Sequence, residues 1–76
     1  MMDRNKVELY KKLYPAGTRI KLIHMDDPYN PVEEGTCGTV IMVDDAGTIH
    51  MRWDNRRSLG LCPEKDKFEV IGKESE

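Results

Sequence analysis

Two stretches rich in apolar residues, "GTVIMV" at 38–43 and "TIHMRW" at 48–53, are separated by "DDAG". A period of two places successive side chains on opposite faces of an extended strand. In the second stretch Ile49, Met51 and Trp53 share one face and Thr48, His50 and Arg52 the other, so the first set points to a core. The first stretch is apolar on both faces after Thr39, and two phases compete: Val40 with Met42, or Ile41 with Val43. Gly38 favours Val40 inside, because a residue without Cβ lets backbone approach closely. Asp44-Asp45-Ala46-Gly47 supplies turn chemistry, Gly47 being suited to a positive φ. The two stretches therefore predict a β-hairpin.

The flanking sequence has weaker but readable periods. Val7, Tyr10 and Tyr14 recur at helical spacing, with Leu9 and Leu13 beside them, and predict a helix over 4–13 capped by Asp3. Lys11 and Lys12 lie where the helix dipole favours cations, and Pro15 ends the helix. After the turn at Ala16-Gly17, "TRIKLIHM" at 18–25 alternates as a half-buried strand, Ile20 and Leu22 against Arg19, Lys21 and Ile23. "DDPYNPVEEG" at 26–35 is a loop, long for so small a chain. "DNRR" at 54–57 is a tight turn, in which Asp54 and Asn55 serve as turn formers, and "SLGLC" at 58–62 is a short strand bent at Gly60. "PEKDK" fits one 3₁₀ turn, "FEVI" at 68–71 a last strand, and "GKESE" a fraying end.

One helix followed by five short strands predicts a mostly β fold. We expect a small SH3-like five-stranded barrel with a short N-terminal α-helix, since closure removes exposed edges; an OB-like barrel is the alternative. The divisions are a helix over 1–14, the barrel over 15–71 and a frayed tail over 72–76. Trp53 is expected as a wedge closing one end of the barrel, its indole N–H reaching a carbonyl or water.

Composition narrows the function more than it names it. A chain of 76 residues holds one domain. A domain of that size buries only roughly 60% of its unfolded surface, which leaves little depth for a walled active site. No apolar run approaches the ~18 residues of a membrane span. The first residues are charged without an apolar h-region, so a cytoplasmic location and no membrane association are expected. The two cysteines, Cys37 and Cys62, are expected as free thiols. Net charge is −2 but uneven: residues 26–50 hold six acids and no Lys or Arg, whereas residues 1–25 are predominantly basic.

Chemistry-bearing patterns are sparse. Cys37, Cys62, His24 and His50 could ligate zinc, but no CxxC or HxxxH pair occurs. Asp26, Asp27, Asn30, Glu33 and Glu34 lack the spacing and glycine of a calcium loop. No GxSxG, P-loop or GxGxxG is present. We therefore expect no enzyme activity, no metal and no cofactor. Two surfaces remain. The first is the acidic loop, with Tyr29 as anchor and Asp26, Asp27, Glu33 and Glu34 as rim, for a protein partner. The alternative is a local patch of Arg52, Arg56 and Arg57, with nearby lysines, for nucleic acid. An acidic pI of about 5.7 favours the first. Tyr29 has a second expected role of equal weight, folding back as a lid over the thin core.

The segment "YPAGTRIKLIHMDDPYNPVEEGTCGTVIMVDDAGTIHMRWDNRRSLGLCPEKDKFEVI", 14–71, resembles a family of short proteins with a domain of unknown function, found in Gram-positive bacteria, their phages and mobile elements. The shared pattern is "YPxGTRIxLxxMxDPYxPVxxGTxGTVxxVDDxGxIxxxWDNxxSL" followed by "DxF". The resemblance implies a small β domain and brings no catalytic residue or cofactor. Its "GTV…DDxGxIxxxWDN" centre is also similar to SH3-like domains of some large ubiquitin ligases, which bind peptide segments; that likeness implies a fold only.

Overall fold

The computed structural model describes residues 4–74. Helix α1 (Arg4–Leu13) precedes four strands, β1 (Thr18–His24), β2 (Cys37–Val43), β3 (Ile49–Trp53) and β4 (Lys67–Lys73). The strands form one antiparallel sheet in the order β3-β2-β1-β4. The domain is mostly β with one short helix, and its sheet is open.

Helix α1 buries Val7 and lays Tyr10 against the core, and Tyr14, just beyond its end, packs there too. Tyr14 meets Phe68 of β4 edge-on at 5.4 Å. The helix also ties to the connections, through Lys11 to Asp45 at 2.8 Å and Lys6 to Glu64 at 3.4 Å. It therefore packs on its own sheet. The expected cap, Asp3, lies outside the described residues. In β1, Ile20 and Leu22 point to the core and Arg19, Lys21 and Ile23 away from it, as the alternation predicts.

In the hairpin, neither of the two pure phases holds. Val40 pairs with Met51, Met42 with His50 and Val43 with Ile49, which leaves Ile41 without a partner. One extra residue on β2 is a β-bulge, and it reverses the phase of the residues after it. Val40 and Val43 are both buried, while Ile41 and Met42 face solvent. A strict two-residue period cannot show this.

The expected strand at 58–62 is not formed. Only Leu61 bridges to Ile49, their N–H and C=O groups exchanging two bonds of 2.8 Å. The ladder stops there for a local reason. The Cys62 N–H donates to the Asp66 carboxylate at 2.7 Å, and Pro63 has no N–H to give. A hydrogen-bonded turn comes next, with Lys65 and Asp66 N–H groups both donating to the Cys62 carbonyl. The pairing thus falls short of a closed five-stranded barrel, SH3-like or OB-like. The last strand is longer than "FEVI". Gly72 and Lys73 pair with Arg19 and Thr18, and Glu74 N–H donates to Gly17 O at 2.7 Å. Residues 72 and 73 are held in the sheet and Glu74 is bonded beside it, rather than frayed; 75 and 76 lie outside the described residues.

The core gathers Ile20, Leu22, Met25, Val32, Val40, Val43, Ile49, Met51, Trp53 and Leu61. Trp53 is 1% exposed and its Nε1–H donates to Leu59 O at 2.7 Å. Its ring lies over Gly38, where a Cβ would stand 2.8 Å from Trp53 Cε3 and 3.0 Å from Arg52 O. Only glycine fits beneath that ring.

Candidate functional site

The segment between β1 and β2 is a shaped loop, built by polar groups that satisfy its backbone. At its start, Asp26 N–H donates to Asp66 Oδ1 at 2.7 Å. Since Asp66 Oδ2 takes the Cys62 N–H, one carboxylate joins the loop to the turn before β4. At the tip, Asp27 Oδ1 accepts from Tyr29 N–H at 2.8 Å and Asn30 N–H at 3.3 Å, an Asx turn. On the far side the Arg57 guanidinium donates to Asn30 O at 2.6 Å and Pro31 O at 3.4 Å. At the end, Leu22 N–H donates to Thr36 O and Gly35 N–H returns to Leu22 O, both at 2.8 Å.

The apolar residues of this loop divide sharply. Met25 and Val32 are buried and cover the core, with Val32 N–H directed at Met25 Sδ. Tyr29 is 93% exposed. The lid role expected of Tyr29 therefore belongs to Val32 and Met25, whose side chains hang inward from either side of the Asx turn. Asp26 and Glu33 are exposed, Asp27 is half-buried in shaping the tip, and Glu34 pairs with His24 at 2.9 Å. The five predicted residues thus share one loop but not one task.

The three arginines of the alternative patch diverge. Arg52 reaches Glu74 at 3.2 Å, Arg57 is turned onto the loop carbonyls, and Arg56 sits exposed in the turn with a left-handed φ of 69°. Asp54 does more than form that turn. It takes the Arg19 guanidinium on both oxygens, at 2.9 and 2.7 Å, and Arg19 also donates to Thr39 Oγ1 at 2.9 Å. This pairing holds the Asp54 carboxyl below its ordinary range and raises the Arg19 guanidinium above its own. The outer face of the sheet therefore carries arginines and carboxylates matched to each other.

The hairpin turn has its own polar centre. Asp44 Oδ1 accepts from Ala46 and Thr48 N–H at 3.0 and 2.9 Å, and Oδ2 meets His50 Nε2 at 2.8 Å. The His50 contact first, then the Thr48 N–H, lowers the Asp44 carboxyl below its ordinary range. His24 and His50 are thus each engaged with a carboxylate on a different element, and Cys37 and Cys62 are free thiols. Among the described residues no three His, Cys, Asp or Glu side chains converge as a metal site. Among them, no helix is long and apolar enough to cross a membrane.

Sequence reasoning missed Arg57 as the loop's fastener and Asp66 as its anchor. Both act across more than twenty-five residues of chain, from Arg57 to Pro31 and Asp66 to Asp26, and no local spacing signals such a contact.

The family model described as "Domain of unknown function (DUF4314)" matches residues 3–71. The chain belongs to this family. The match runs from α1 into β4, so the helix is part of the DUF4314 domain together with the sheet, the Tyr29 loop, Arg57 and Asp66. A search of curated proteins and one of solved structures found no significant match.

Proposed function

We propose that this DUF4314 domain is a non-enzymatic interaction module that binds a protein partner through the loop at 26–35, with Tyr29 as its anchor. One observation carries the reading: a nearly fully exposed tyrosine stands on a backbone held by Asp27, Arg57 and Asp66. Pro28 and Pro31 stiffen the same backbone. A preorganised loop loses little entropy on binding, and aromatic side chains are the commonest anchors of protein interfaces. Asp26, Glu33 and Glu34 put exposed negative charge on the same loop as the tyrosine, so the partner presents Lys or Arg around an apolar socket. The fold suits this role. Counting the Leu61 bridge as a reduced strand beside β3 extends the order to five, which supports reading the domain as an SH3-like barrel whose fifth strand has shrunk to one pair.

The rival reading, an accessory nucleic-acid-binding protein, is weakened because Arg52 and Arg57 already have partners within the chain. The test compares wild type with Tyr29→Ala. Binding to a purified partner should fall at least tenfold while the melting curve stays in place. Steeply salt-dependent binding of DNA or RNA, lost in Arg52→Ala/Arg56→Ala, would refute the protein-partner reading.

A further inference from the structure

We infer that the Tyr29 loop docks on helix α1 of a second copy of this chain, so that copies associate head to tail; this rests on the reading of Tyr29 as an anchor. A surface of the kind the loop calls for, apolar and flanked by cations, is present on α1. Val7 fixes the buried side of that helix. At about 100° per residue, Leu9 and Leu13 fall on the far side, one turn apart. Each is 50% exposed. Lys12 and Lys6 flank this pair to either side, and among the described residues Lys12 makes no ion pair. Lys6 makes only the exposed 3.4 Å contact with Glu64. Helix α1 holds four basic residues and one acid, Glu8, whereas the loop at 26–34 holds four acids and no base. The sign and the apolar content of the two surfaces are therefore complementary.

The two surfaces do not cover each other within one chain, since Tyr29 is 93% exposed and both leucines are half exposed. Contact between copies meets both needs at once. Because loop and helix are different surfaces, the contact is heterologous, and it generates rings or open chains rather than a symmetric pair. One loop against two turns of helix lies at the small end of interface sizes, so the association is weak.

Sedimentation velocity over a roughly hundredfold concentration range tests this by mass action. Average mass should rise with concentration at low salt, and the rise should fade when salt shortens the Debye length about threefold. Tyr29→Ala alone and Leu9→Glu alone should each remain monomeric, with unchanged circular dichroism; Leu13→Glu replaces Leu9→Glu if the latter disturbs the helix. Mixed together, the two variants should form a one-to-one pair and nothing larger, since one retains the helix surface and the other the loop. A wild type that stays monomeric throughout would overturn the inference and leave the proposal of a different protein partner standing. Association that survives in both variants would overturn it too, placing the contact elsewhere, such as at the β4 edge. If instead Tyr29→Ala retains full affinity for an external partner, it is the anchor reading itself that fails.

Discussion

Replacing Asp66 by alanine is the most direct test of how the functional loop is held. One carboxylate there accepts two backbone N–H groups, from Asp26 and Cys62, each at 2.7 Å. A hydrogen bond to a charged group contributes about 1.5–3 kcal/mol net. The two share one acceptor group and are partly reached by solvent, so their joint loss should cost about 2–4 kcal/mol rather than the full sum. Total stability for a chain of this length is of order 4–11 kcal/mol, from about 0.05–0.15 kcal/mol per residue. Asp66→Ala should then lower the melting temperature by roughly 8–32 °C, at about 4–8 °C per kcal/mol. Asp66→Asn keeps one acceptor but sets its amide N–H₂ against the other backbone donor, so its cost should fall between. Urea unfolding followed by circular dichroism gives the magnitude. Amide hydrogen exchange gives the location: Asp26 and Cys62 should lose protection together in the alanine variant. A midpoint within about 0.5 kcal/mol of wild type, the spread of ordinary surface changes, would refute the clamp.

Other expectations are equally concrete. Trp53→Ala should cost about 3–5 kcal/mol, as for other buried tryptophans, and leave the chain largely unfolded at body temperature; a folded variant with an unshifted melt would contradict its burial. Gly38→Ala should cost about 1–3 kcal/mol by overpacking against the Trp53 ring and the Arg52 carbonyl, read by the same urea titration. Asp44, Asp45 and Asp54 all have carboxyls lowered in the fold from an ordinary 3.8, by His50, Lys11 and Arg19 first in each case. A depressed folded pKa means stability that is present above the unfolded value and lost as pH falls through the folded one, so unfolding midpoints should drop below about pH 4. Asp44→Asn/Asp54→Asn should flatten that acid limb, and an unchanged profile would count against both pairings.

Those elements that rest on short-range pattern were legible in the sequence. The helix, β1, both hairpin strands and their turn follow from periodicity and turn residues, and Gly38 beneath Trp53 was legible as a site of close approach. The bulge at Ile41 was hidden because β2 is apolar on both faces, so inserting one unpaired residue leaves no mark in composition. The reduced strand at 58–62 was hidden because its ladder is interrupted by a carboxylate four residues downstream of Cys62. At the candidate site, sequence supplied the loop and its exposed-polar character. It could not choose between anchor and lid for Tyr29, since that depends on which way the Asx turn at Asp27 aims the side chain.

Trp53 is the only tryptophan in the chain, and its position makes it an optical gauge of one particular event. Its Nε1–H is bonded to Leu59, in a segment otherwise attached to β3 through Leu61 alone. Lifting 58–62 away from the sheet would break that bond and admit water to the indole while β1, β2 and β3 remained paired. Emission should then shift to the red, and acrylamide quenching rise, at denaturant concentrations too low to change the far-ultraviolet spectrum. The protein would thus signal the opening of this stretch ahead of its general unfolding.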